Sequence, residues 1–170
     1  MANDQELWDQ ICQGNAQAFT AFYCEQAPRL QAFLRQLVGS PQVAEDIMQE
    51  TFTRIWQRPG GFRPERGTLR AYVYGIGRKR ATDWWRNQRP EDADDGEFNA
   101  VSSSETASVV GDALRRLPEE TRTLLWLREV EGQSYAELAE ILGVPVGTVR
   151  SRLFAAREAL RKIWKGAGDT

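Results

Sequence analysis

Apolar residues recur along most of this chain at the three-to-four residue spacing of a helix, and no run of useful length alternates as a strand would. Glu6 to Cys12 and then Ala16 to Val38 carry the first such pattern, with Phe19, Phe22, Tyr23, Leu30, Phe33, Leu34 and Leu37 at helical spacings. Pro28 predicts a kink or break inside it, because proline lacks a backbone donor and crowds the preceding turn. Gly39, Ser40 and Pro41 end the stretch. Val43 to Trp56 predicts a second strong helix, with Val43, Ile47, Phe52, Ile55 and Trp56 apolar and Glu45, Asp46, Gln49 and Glu50 forming an acidic, polar face. Arg58 to Gly67 is rich in proline and glycine and reads as a loop, after which Thr68 to Arg89 resumes helix. From Asp112 a second helical unit begins, and Pro118 opens a helix that runs to about Val130.

The last third is the most specific. Ser134 to Leu160, SYAELAEILGVPVGTVRSRLFAAREAL, has Ser134 as an N-cap with Glu137 three residues on, a capping box that opens a helix at Tyr135. Leu138, Ile141 and Leu142 face one side of it, and Gly143 supplies a left-handed residue for a short turn. Pro145 fits the first turn of the next helix. There Val146, Val149, Leu153, Ala156 and Leu160 fall on one stripe that must be buried. The opposite face opens with Gly147, Thr148 and Ser151, small or hydroxylated residues that permit close approach to base edges, flanked by Arg150, Arg152 and Arg157. Between Val146 and Lys165 there are six basic residues and one acid, Glu158, a balance that suits a helix in a DNA major groove. The plainer reading is a solvated basic surface helix; capping box, tight turn, proline start and basic face in that order favour a helix-turn-helix.

Charge distribution adds a second site. The net charge of -2 argues against a polycation that coats nucleic acid, yet residues 63–89 hold eight basic residues against Glu65 and Asp83, whereas residues 91–97 hold five acids and no base. In RAYVYGIGRKRATDWWRNQR, Arg70, Arg78, Lys79, Arg80, Arg86 and Arg89 alternate with Tyr72, Tyr74, Trp84 and Trp85. Aromatic faces accept unstacked bases and cations follow the backbone, the mixture that binding a melted strand requires. Tyr72, Val73, Ile76 and Trp84 also read as core, since a small helical unit must bury aromatics to be stable. Gly75 and Gly77 loosen this helix. Residues 90–111 shift to Glu, Asp, Ser, Gly and Ala, a linker composition.

Several classes are set aside. No run approaches the roughly 18 apolar residues of a membrane span, and the N-terminus lacks a signal pattern, which predicts a cytoplasmic protein without membrane insertion. Cys12 and Cys24 form no C-x-x-C pair, the chain has no histidine, and neither a cofactor nor a metal site is evident; both cysteines read as buried or half-buried helix residues. With no Walker-type loop and no paired metal motif, the carboxylates have no catalytic constellation, and the chain does not read as an enzyme.

Four motifs in order resemble the extracytoplasmic-function group of bacterial RNA polymerase sigma factors, in the sigma-70 family, over nearly the whole chain. AFTAFYCEQAPRLQAFLRQLVGS is similar to the first helices of sigma region 2, and AEDIMQETFTRIW to the family's A-E-D-x-x-Q-E-x-F-x-x-x-W helix. FRPERGTLRAYVYGIGRKRATDWWR resembles the promoter-melting segment, and LRRLPEETRTLLWLREVEGQSYAELAEILGVPVGTVRSRLFAAREAL resembles region 4. The resemblance implies an all-α chain of two small helical domains joined by a flexible acidic linker: region 2 over 1–90, linker 91–111, region 4 over 112–166 and a tail 167–170. It implies that Asp46, Gln49, Glu50, Phe52 and Trp56 dock on the clamp helices of the core RNA polymerase beta-prime subunit, with the beta flap as a further contact. It implies that Phe62, Arg63, Arg66, Arg70, Arg78, Lys79, Trp84 and Arg86 capture and melt the -10 element. Thr148, Arg150, Ser151, Arg152, Phe154 and Arg157 would read the -35 element of promoter DNA as duplex. An anti-sigma factor is an implied partner. Lys79 stands where the family has Asn, and because lysine cannot accept a hydrogen bond, the family's -10 base preference does not carry over to this chain from the resemblance. A helix-turn-helix regulator acting without polymerase is the alternative, and it leaves the Asp46–Trp56 helix and the basic aromatic segment without a task.

Overall fold

The structure, a computed structural model, describes residues 3–88, 113–114 and 116–168. Its main helices are α1 (Asp4–Cys12), α2 (Ala16–Val38), α3 (Pro41–Gln57), α4 (Leu69–Gln88), α5 (Glu119–Leu125), α6 (Tyr135–Leu142) and α7 (Val146–Gly168), with no strand among the described residues. The acidic linker expected over 91–111 lies outside the described residues, as does Arg89.

Local chemistry sets the boundaries. Asn3 and Glu6 form a capping box at α1, Asn15 accepts from the amides of Gln17 and Ala18 at α2, and Ser40 accepts from Val43 at α3. Pro28 does not break α2, which continues through it. Pro28 and Cys24, whose carbonyl loses its donor, both face solvent, where water can take the missing partner's place. Ser134 and Glu137 form the expected capping box, and Gly143 closes α6 at φ 67°.

The helices α1 to α4 make one unit, in which α2 packs on α1, α3 and α4, and α5 to α7 make a second, in which α7 lies on α5 and α6. The two units are not separate in the core. A single apolar cluster runs from Trp8 through Leu30, Phe33, Phe52 and Val73 to Leu127, Leu138, Ile141, Val149 and Leu153, and α4 packs on α6. A small satellite of Leu117, Leu125 and Ala156 completes the second unit. Burying apolar surface contributes about 25 cal/mol per Å², so one cluster spanning both units ties their stabilities together.

The glycines of α4 serve close packing rather than looseness. A Cβ on Gly77 would stand 3.1 Å from Leu30 Cδ1, and one on Gly75 would stand 4.0 Å from the backbone of Ile141 in α6. Two further expectations are corrected. Cys12 and Cys24 are exposed, since Cys12 ends α1 and Cys24 lies on the side of α2 away from Phe22, Gln26 and Leu30. Val146, expected on the buried stripe of α7, is 39 % exposed at the start of that helix, whereas Val149 is fully buried.

Candidate nucleic-acid interface

The outward face of α7 is set by its buried stripe. Val149, Leu153 and Ala156 are buried, which fixes Arg150, Ser151, Phe154 and Arg157 outward, all exposed, with Thr148 and Arg152 half-buried beside them. Phe154 is 71 % exposed in the middle of this polar face. Two of its arginines are held by acids of neighbouring elements. Arg157 donates to Glu129 from Nε at 3.0 Å and Nη2 at 2.7 Å, and Arg152 pairs with Glu120. The hydrogen bonds from Arg157 to Glu129 raise the Arg157 pKa further. Glu129 comes from the turn Trp126–Val130, which is wound wider than an α-helix: the Glu131 amide donates to the carbonyl of Trp126, five residues back, at 3.1 Å.

Tyr135, at the start of α6, was not singled out from the sequence. Two guanidiniums lie over its ring, that of Arg128 at 5.0 Å and that of Arg150 at 5.8 Å from the centroid. Arg128 is further fixed by donating to the Gln133 carbonyl at 2.7 Å. The only sequence signal for this stack is an aromatic directly after an N-cap, too common to read alone.

The second cationic surface is built differently. Arg63, Arg66, Lys79 and Arg86 are exposed and Arg78 is half-buried, as is Trp84, whose ring meets Trp85 edge-on at 4.7 Å. Arg86 pairs with Asp83 at 3.8 Å. Phe62, expected to take part in strand capture, is instead 6 % exposed, its ring 5.6 Å from Trp8 and 5.8 Å from Tyr72. Arg70 is turned toward the second unit, with Nη2 3.4 Å from Gln133 Oε1 and 3.9 Å from Glu137 Oε2.

The order of these surfaces along the chain is matched by known proteins. The family profile for Sigma-70 region 2 matches residues 22–91, and that for Sigma-70, region 4 matches residues 107–160. The RNA polymerase sigma-H factor of Pseudomonas aeruginosa is 32 % identical over 179 residues, which cover 94 % of this chain and 92 % of that protein. The ECF RNA polymerase sigma-E factor of Haemophilus influenzae is 33 % identical over 177 residues, 92 % and 93 % of the two chains. The chain belongs to the extracytoplasmic-function sigma factors.

Solved structures agree with this sigma factor's fold across both units. CnrH in complex with the cytosolic domain of CnrY matches with a TM-score of 0.74 at 25 % identity, over 96 % of this chain and 97 % of that one. RpoE in complex with the anti-sigma factor NepR from Bartonella quintana matches with a TM-score of 0.68 at 26 % identity, over 86 % and 96 %.

The remaining surface of the sigma factor is the acidic face of α3. Asp46, Gln49 and Glu50 are exposed and border a groove that also includes Arg54, Arg58 and Arg80. Glu50 accepts from Arg80 Nη1 at 2.5 Å, which ties α3 to α4. Trp56 is 38 % exposed, with its ring 4.8 Å from Phe19. Phe52, expected on this docking face, is 2 % exposed among Phe19, Phe22 and Tyr23, and supports the face from inside. No described helix is long and apolar enough to cross a membrane.

Proposed function

We propose that the sigma factor works as two DNA readers and one polymerase anchor, with residues 1–90 and 112–166 as the working units and 91–111 as the segment between them. In this reading α3 docks through Asp46, Gln49, Glu50 and Trp56 on the basic clamp helices of core polymerase, a clustered-carboxylate face on a helix being a good complement to a cationic helical partner. The α7 helix enters the major groove at the -35 element, where Thr148, Arg150, Ser151 and Phe154 meet base edges while Arg152 and Arg157 exchange Glu120 and Glu129 for phosphate. Arg63, Arg66, Arg70, Arg78, Lys79, Trp84 and Arg86 hold the melted -10 strand. Phe62 and Phe52 act from the core by fixing the loop and helix that carry those groups. The process takes place in the cytoplasm and is recruitment rather than catalysis by this chain: the assembled holoenzyme multiplies the effective concentrations of two weak DNA contacts. An anti-sigma factor, of the kind bound by the Bartonella quintana relative, is the expected regulator.

The observation that carries the anchor is the exposed edge of Asp46, Gln49 and Glu50 on α3, beside Arg54, Arg58 and Arg80, on the same chain as two cationic surfaces. A regulator acting alone has no use for it. Reconstitution with sigma-free core polymerase on a random promoter library tests the whole reading, with core alone as control. Arg150→Ala is expected to weaken use of selected promoters while core binding is retained, and Asp46→Asn with Glu50→Gln to weaken core binding first. Equal loss of both functions in either variant counts against separate surfaces, and sequence-specific duplex binding at nanomolar concentration without polymerase would return the chain to the ordinary regulators.

A further inference from the structure

The shortest helix of the first unit, α1, belongs to neither DNA reader nor to the polymerase anchor, yet it holds the loop between α3 and α4. That loop, residues 58–68, has little structure of its own: a single 3-10 turn, Pro64–Arg66, in which the Arg66 amide donates to the Arg63 carbonyl at 2.9 Å. Arg63, Pro64, Glu65 and Arg66 are exposed. At the far end of the loop α4 opens at Leu69, and the first amides of a helix have no partner within it. Thr68 Oγ1 accepts from the Ala71 amide at 3.1 Å. The Leu69 amide is taken by α1: it donates to Asp4 Oδ2 at 2.7 Å, across 65 positions of the chain. Nearer the start of the loop, Phe62 enters a buried aromatic trio. The Trp8 ring of α1 meets Phe62 at 5.6 Å and Tyr72 at 5.8 Å, both edge-on, and Phe62 lies 5.8 Å from Tyr72. Gly61 lies so close to the Tyr72 hydroxyl that a Cβ there would collide with it.

Asp4 and Trp8 stand one helical turn apart, on one face of α1, and the exposed Arg63 and Arg66 lie between the two points that this face holds, Phe62 and Leu69. A backbone left free must be ordered when its ligand binds, and that cost is subtracted from affinity; a loop fixed beforehand avoids it. We propose that Asp4 and Trp8 are positioning residues for promoter melting: α1 orders the loop in advance, so that Arg63 and Arg66 are already placed when the displaced strand arrives, given the reading of this loop and α4 as the holder of the melted -10 strand. Neither residue touches DNA; Asp4 acts through the Leu69 amide and Trp8 through Phe62. The Asp4 carboxylate also sets a negative charge at the positive end of α4, which fixes where that helix begins. The anchor residues Asp46, Gln49 and Glu50 are on α3 and share neither contact, so the effect is confined to the strand-holding surface.

The test uses the full chain, alone and with core polymerase. Asp4→Ala removes the acceptor, Asp4→Asn keeps an oxygen in its place, and Trp8→Leu removes the ring while keeping apolar bulk; circular dichroism confirms helix content in each. Amide hydrogen exchange over residues 59–70, read by mass spectrometry, reports the order of the loop in the free protein. Fluorescence anisotropy of a labelled single-stranded oligonucleotide, the nontemplate strand of a promoter selected from the random library, reports how well the holoenzyme holds the strand. Asp4→Ala should speed exchange over 59–70 and weaken strand binding about fivefold, the scale of a lost helix cap, with core affinity unchanged. Trp8→Leu should act in the same direction, and Asp4→Asn should recover most of both properties. Unchanged exchange in Asp4→Ala, faster exchange with undiminished strand binding, loss of core binding in the same proportion, or an Asp4→Asn variant no better than Asp4→Ala each overturn the positioning role. Transcription by the parent with core polymerase judges the sigma reading separately, and the exchange result stands whichever way that falls.

Discussion

The two cationic surfaces differ in how they share residues with the core. Along α7 the division is clean: Val149, Leu153 and Ala156 are buried, and the cations and Phe154 stand on the other side. Along Phe62 to Gln88 the division fails, because Phe62 and Tyr74 are core, Arg70 is drawn into the junction, and Trp84 is half-buried against Trp85. A helix that only reads duplex DNA can keep stability and recognition on separate faces. A segment whose aromatics serve both core and site cannot, and substitutions there should mix effects on folding and on function.

The largest expected effect isolates this contrast with one residue type. Phe62→Ala should cost about 3–5 kcal/mol of stability, since it empties a site walled by Trp8 and Tyr72. Phe154→Ala should change stability by less than about 0.5 kcal/mol and act only on promoter use. Urea denaturation of both variants checks the pair, and equal losses would erase the distinction. Next, Gly77→Val should cost about 1–3 kcal/mol by overpacking against Leu30, whereas Gly147→Ala on α7, with open space at its Cβ, should be neutral or stabilising.

A smaller effect is pH-dependent. Burial pushes the Glu137 carboxyl up, but hydrogen bonds from Thr68 and Ser134 and the Arg70 charge outweigh it and leave the pKa below its ordinary value. Its contribution is therefore complete above the unfolded-chain value of about 4.3 and is lost as pH falls through the lower folded value. Glu137→Gln should remove that acid-dependent part, seen as a smaller drop in denaturation midpoint between pH 6 and pH 3 than the parent shows. The smallest effect is on α7: Glu120→Gln, which frees Arg152 from an exposed pair, should leave stability within about 0.5 kcal/mol.

What the sequence made legible follows the same line. The helices, the capping box at Ser134 and the turn at Gly143 were readable because each is fixed by residues within one or two turns. The outward set on α7 was readable because a single periodic stripe determines it. The inward turn of Phe62, the burial of Phe52 and the diversion of Arg70 depend on Trp8, Phe19 and Glu137, residues far away along the chain, and composition gives no hint of them. The exposed cysteines were misread because cysteine is most often buried.

The apolar cluster that crosses from α4 into α6 also bears on how the chain unfolds. Two units that share a core lose their structure in one concerted transition, whereas units that have parted melt as independent bodies, each with a smaller core and a lower midpoint. Heating the free protein should then give a single calorimetric peak, and the number of peaks becomes a direct count of how many cooperative bodies the chain contains at that moment.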